Sequence, residues 1–190
     1  MSTLGHNNGP SMQSGLSWRK HCWKRARADL MPHLPIEILR RRVKRARELG
    51  LEYKTYASVR AATGHDVVGF LFSTNALRAL KNNPGIPADR LAKLATLQDC
   101  HRIALVTPPL TAAQLLRANP GAAISCAAAP PAHASWSAAG LSIRAALHPQ
   151  KIPSDTMLLI GDTTLEAEWS TAGRLAGYLS AARYFAAAAP

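Results

Sequence analysis

Aromatic side chains are scarce in this 190-residue sequence: Phe, Tyr and Trp make up 6% of it, although apolar residues reach 47%. Alanine supplies much of the difference, so a core has to be assembled from Leu, Ile and Val. Cysteine is sparse too. Cys22, Cys100 and Cys126 are far apart, odd in number and form no CxxC pair. That excludes a disulfide framework and favours free thiols in a reducing compartment. His21 and Cys22, like Cys100 and His101, are adjacent pairs, too close for the usual ligand spacing, so no metal is expected. No uncharged apolar run approaches the ~20 residues of a membrane span. Residues 1–17 are polar and carry no hydrophobic leader segment, so a cytoplasmic location is expected by default. There is no Walker loop, no G-x-G-x-x-G and no G-x-S-x-G elbow.

Acidic residues are few, 11 against 23 Lys and Arg, and the formal net charge is +12. A charge of this size bears on partners rather than on fold. Its placement is uneven: residues 1–60 hold 13 of the basic residues and only 4 of the acidic ones. Pro35 suits a helix start and Gly50 a helix stop. Between them Ile36, Leu39, Val43 and Ala46 recur at spacings of three and four, which predicts one buried face. Arg40, Arg41, Arg42, Lys44, Arg45 and Arg47 fill the rest of that helix and are the candidate polyanion-binding residues. Trp18, Trp23, Tyr53 and Tyr56 are interleaved with the cations, a combination that suits phosphate neutralisation and base stacking. A solvated surface helix, a membrane-surface helix or a face for an acidic protein would use the same residues.

The pattern predicts residues 1–17 as a disordered N-terminus, 18–64 as a basic helical region, 65–185 as a small α/β domain, and 186–190 as a flexible alanine-rich tail. Within the first part, helices are expected over 17–30, 35–49 and 51–63. From Asp66 short apolar runs alternate with helical stretches. Strands are expected over 67–72, 102–106 and 157–160, with a further short one possible over 122–127. Helices are expected over 76–81, 88–99, 111–117 and 165–175, and 119–140 reads as mostly loop. The fold class that follows is α/β: a helical basic N-terminal region, then a small, mostly parallel sheet with flanking helices.

Hydroxyl residues cluster where the expected strands end. Ser73, Thr74 and Asn75 follow one run, Thr107 another, and Gly161, Asp162, Thr163 and Thr164 the third. In parallel α/β sheets, ligands bind outside the carboxyl ends of the strands. Ser73, Thr74, Asp162 and Thr163 are therefore the candidate ligand-binding residues, with helix N-termini able to hold phosphate and Asp162 able to act as a base or hold Mg²⁺. The plainer assignment makes Ser73, Thr74, Thr163 and Thr164 helix caps and Asp162 a turn residue. A Ser/Thr after one strand and a Gly-Asp pair after a later one resembles the haloacid dehalogenase-like phosphohydrolases. That family's nucleophile lies in an Asp-x-Asp motif after the first strand, and no such pair occurs here. The resemblance therefore implies a site without the family's usual chemistry.

Three functions remain open from sequence. One is a non-enzymatic, regulatory binding protein whose basic helices contact nucleic acid. A second is a small α/β phosphate- or nucleotide-binding enzyme. The third is an assembly factor docking on an acidic protein. No cofactor follows from the residues, and no transmembrane segment is expected.

Overall fold

The structure, a computed structural model, describes Cys22 and residues 34–186. The expectations for 1–17, for a helix over 17–30 and for the tail beyond Ala186 lie outside these residues. The chain divides into two compact units, Met1–Leu39 and Arg40–Pro190. The helices of residues 40–64 thus belong to the same unit as the sheet. Among the described residues no helix is long and apolar enough to cross a membrane.

Helix α1 (Ile36–Glu48) and helix α2 (Tyr53–Thr63) precede the first strand. Gly64 ends α2 in the left-handed conformation (φ +76°) that glycine adopts without strain. The expected α1 stripe turns inward only at its C-terminal end, where Val43 is half-buried and Ala46 buried. Ile36 is 61% exposed and Leu39 38%, whereas Ala46 and Leu49 are buried and Arg42 and Arg45 half-buried. Arg45 also turns inward at that end. Its guanidinium donates to the carbonyls of Val67 (3.2 Å) and Asp99 (3.1 Å) and pairs with Glu48 (3.1 Å), so its stem lies along the core. Apolar spacing alone does not register this inward-turning arginine.

Five strands follow: β1 (Gly69–Ser73), β2 (His101–Val106), β3 (Ser125–Ala128), β4 (Met157–Gly161) and β5 (Gly177–Ser180). All pairings are parallel, in the order β3-β2-β1-β4-β5. The α/β class read from sequence is what the fold has. Helices α3 (Ala88–Ala95), α4 (Ala112–Ala118), α5 (Trp136–Leu147), α6 (Thr164–Ala172) and α7 (Ala181–Ala186) complete it. A parallel sheet covered on both faces needs continuous apolar strands, and every residue of β1 and β4 is buried. One face carries Phe70, Phe72, Ala104, Val106, Leu158 and Ile160 against α1, α2, α3 and α7. The other carries Leu71, Ile103, Leu105 and Leu159 against Ile143 and Leu147 of α5 and Trp169 of α6. Each such side chain contributes on the order of 1.5–3 kcal/mol of burial.

Two expectations are corrected, and one strand goes beyond them. Residues 76–81 are a tight turn, not a helix: Leu77 N–H bonds Ser73 O, Arg78 adopts φ +53°, and Leu80 and Asn83 then form an antiparallel bridge. The Asn-Asn-Pro-Gly run at 82–85 stops helix propagation. The end of the 119–140 segment belongs to α5, whose N-terminus is capped by Ser135. Strand β5, a four-residue edge strand beginning at glycine, has too short a pattern to read from sequence.

Candidate functional site at the carboxyl edge of the sheet

The chain leaves β1 toward β2 on one side, while β4 packs on the other, so β1/β4 is the place where strand order reverses. Because all strands are parallel, Ser73, Thr74, Thr107, Asp162 and Thr163 gather at one edge. Registers fix their heights: Ser73 pairs with Leu105, and Phe72 with Ile160. Thr74 N–H bonds Leu105 O (3.2 Å), and the Thr74 hydroxyl accepts from Thr107 N–H (3.3 Å). The ends of β1 and β2 are thereby tied together.

Much of the chemistry at this edge is already committed. Ser73 is fully buried and its hydroxyl accepts from Ala76 N–H (2.9 Å), capping the turn. Thr163 caps α6, accepting from Glu166 N–H (3.2 Å). The helix N-terminus, a candidate phosphate cradle from sequence, is occupied from within. Glu166 is 1% exposed; its Oε2 accepts from Asp162 N–H (2.6 Å) and Thr163 N–H (3.0 Å), and its Oε1 from the Asn75 amide (2.9 Å). One carboxylate thus joins the ends of β1 and β4 and fills the position an anion would take. Glycine at 161 makes this possible: a Cβ there would lie 2.7 Å from the Tyr178 ring and 2.8 Å from Glu166 Oε2. Glu168, two residues on, faces solvent.

Other groups are less committed. Asp162 and Thr163 are exposed residues, with Asp162 at the rim. The Thr107 hydroxyl is buried, and among the described residues nothing bonds it. Tyr178, whose hydroxyl donates to Thr163 O (3.4 Å), has its ionisation pushed up by burial and then by the Glu166 and Asp162 carboxylates. Ser73 ends β1, and Thr74 and Asn75 follow it.

Sequence reasoning missed Arg90. It lies near the start of α3, is only 4% exposed, and its guanidinium rests 4.6 Å above the Phe185 ring centroid. Among the described residues its Nε and Nη1 have no hydrogen-bond partner. Burial pushes it below its ordinary range, Arg78 adds to that, and Asp89 and Asp162 oppose it. One turn on, Lys93 is also buried, with Nζ 5.6 Å from the Tyr184 ring centroid. A signal was present: Arg90, Leu94 and Leu97 lie at spacings of four and three, which puts the arginine on the buried stripe.

The basic helix divides unevenly. Arg45 turns inward, Arg42 is half-buried, and Arg40, Arg41, Lys44 and Arg47 are exposed. Lys44 also meets Glu48 at 3.9 Å. Away from both features, a groove of about 650 Å³ runs between α3 and the α4–β3 loop, lined by Leu91, Ala95, Leu97, Arg102 and Ala122. Its lining is mainly apolar, and Arg102 Nη1 already donates to Leu94 O (2.9 Å). Among the described residues no three of His, Cys, Asp and Glu cluster as a metal site would require. No family model, no curated protein and no solved structure matches the chain.

Proposed function

We propose that this protein binds a small phosphate-bearing ligand at the carboxyl edge of its sheet, beside the β1/β4 reversal, and binds it without turning it over. The observation that carries the reading is the Thr107 hydroxyl, buried and without a partner among the described residues at that edge. A buried hydroxyl left unpaired is costly, and an oxyanion supplies the acceptor it lacks. Thr74, bonded to Thr107 N–H, holds it in place. Binding rather than hydrolysis is favoured because the Ser73 hydroxyl at this edge is fully buried and held in its cap. The test is calorimetric titration with inorganic phosphate and glycerol 2-phosphate. The wild type is expected to bind at least one, and Thr107→Val to bind it about tenfold more weakly, the loss of one hydrogen bond to a charged group. No binding of either probe by the wild type refutes the reading.

A second reading is favoured by the exposed run Arg40, Arg41, Lys44 and Arg47 on α1: this face contacts nucleic acid. Four phosphate contacts would give a log–log salt slope of about −3.6 on duplex DNA. Anisotropy with a labelled duplex measures it, and absence of binding at low salt removes it.

A further inference from the structure

The carboxyl edge carries an uncommitted hydroxyl, but an anion also needs charge. Glu166 has taken the N-terminus of α6, the usual source of positive potential. What is left is a cation held in an unusual state. Arg90 is 4% exposed, and among the described residues Nε and Nη1 donate to nothing. The group rests on the π face of Phe185. Phe185 in turn packs against Phe72, with ring centroids 6.3 Å apart, and Phe72 is the residue before Ser73. The guanidinium therefore lies on the face of the sheet covered by α3 and α7, the face that carries Phe72. The charges that reach it include a second cation, Arg78, in the turn that follows β1, and the rim carboxylate Asp162.

Stacking leaves the guanidinium edge free to bond, and among the described residues its Nε and Nη1 donors have no partner. Proteins rarely bury an arginine in this way, because each unpaired donor forgoes its bonds to water. Fork-shaped donors match the oxygens of phosphate. We propose that Arg90 is the charge-recognising residue of the phosphate site: it is kept stacked on Phe185 and unpaired so that the ligand's oxygens complete its hydrogen bonds. This rests on the reading given under Proposed function and adds a residue from a different element. Arg78, in the turn after β1, supplies further positive charge nearby.

A structural arginine and a ligand-pairing arginine differ in what their removal does to the empty protein. Replacing a buried unpaired charge by an apolar side chain of similar length is neutral or stabilising, while removing a cation needed for packing lowers Tm. Arg90→Met and Arg90→Lys are therefore compared with wild type and Thr107→Val by thermal unfolding and by titration with inorganic phosphate and glycerol 2-phosphate. Expected for Arg90→Met is a Tm in phosphate-free buffer equal to or above that of wild type, together with at least a tenfold loss of affinity. Arg90→Lys, which keeps charge but not the fork, falls between. Tighter binding of the ester than of inorganic phosphate marks an esterified ligand, and equal binding marks free phosphate; either outcome supports the assignment. If the wild type binds and Thr107→Val weakens binding but Arg90→Met does not, the role of Arg90 is overturned while the site stands. If the wild type binds neither probe, both fall.

Discussion

Removing the Glu166 carboxylate tests the internal anchor of the site. In Glu166→Ala the N–H groups of Asp162 and Thr163 and the Asn75 amide lose an acceptor that they now reach at 2.6, 3.0 and 2.9 Å. The position is 1% exposed, so water does not readily replace it. A buried donor left unpaired costs about 1–3 kcal/mol, but three donors sharing one carboxylate are coupled and do not add. Allowing also for the small cavity, a loss of roughly 3–4 kcal/mol is expected. For a chain of this size that lowers Tm by roughly 6–16 °C. Glu166→Gln should cost only about 1 kcal/mol. Its carbonyl can serve the two backbone N–H groups, and its amide can face Asn75 once the Asn75 side chain turns over to present its oxygen. In an Asn75→Ala background the difference between Glu and Gln should therefore shrink. Urea unfolding of the four single and double variants gives the coupling directly. Equal stabilities of Glu166→Ala and wild type would show that this carboxylate does not hold β1 to β4.

Two further expectations follow from the same region and from the core behind it. Gly161→Ala places a Cβ within 3.0 Å of the Tyr178 ring and of Glu166; about 1–3 kcal/mol of destabilisation is expected in urea unfolding, and a stability equal to wild type would mean that Glu166 does not need this close approach. Burial raises the ionisation of Tyr56, Tyr178 and Tyr184, as it does that of Cys100 and Cys126. Their folded pKa values exceed the unfolded ones, so the stability they contribute is complete below about pH 8.5 and is lost as the pH rises past the unfolded values of about 8.5 for Cys and 10 for Tyr. Burial holds Lys93 and Arg90 below their ordinary ranges and gives slopes of the opposite sign, but they are two groups against five. Tm measured from about pH 8 to 11 should fall, and a flat or rising curve would contradict the burial of these side chains.

The legible parts of this fold are those where one physical requirement dominates a segment. Strands β1, β2 and β4 are buried along most or all of their length, so their apolar runs stand out. Thr111 and Thr163 mark two helix starts locally as N-cap residues. Segments that depend on distant partners were opaque. The inward turn of Arg45 in α1 depends on carbonyls 22 and 54 residues away. Helix α5 begins in an Ala-, Pro- and Ser-rich stretch whose meaning depends on α6: Gly140 crosses so closely that a Cβ would lie 2.4 Å from Ala172 O. The site shows the same division. Its hydroxyls were visible because they sit at strand ends, whereas Glu166 read only as a helix residue, since its Asn75 partner is 91 positions away.

That contrast bears on what the edge can bind. A helix N-terminus and a row of hydroxyls after parallel strands suggest an anion cradle from sequence alone. Once Glu166 fills the cradle, the N–H groups that would attract a phosphate are spent on a carboxylate of the same chain. Anion affinity then has to come from side-chain cations, and those that reach this edge include Arg78 and the buried, stacked Arg90. The balance is close, because Asp162 stands at the rim with the opposite charge. Asp162→Asn should therefore tighten binding of inorganic phosphate, by up to about tenfold if the effective dielectric is near that of a protein surface. The gain should diminish with added salt in so far as the pair is solvent-exposed. Weaker phosphate binding by Asp162→Asn would mean instead that the rim carboxylate is part of the ligand's own recognition, and that charge opposition at the rim is the wrong account of this edge.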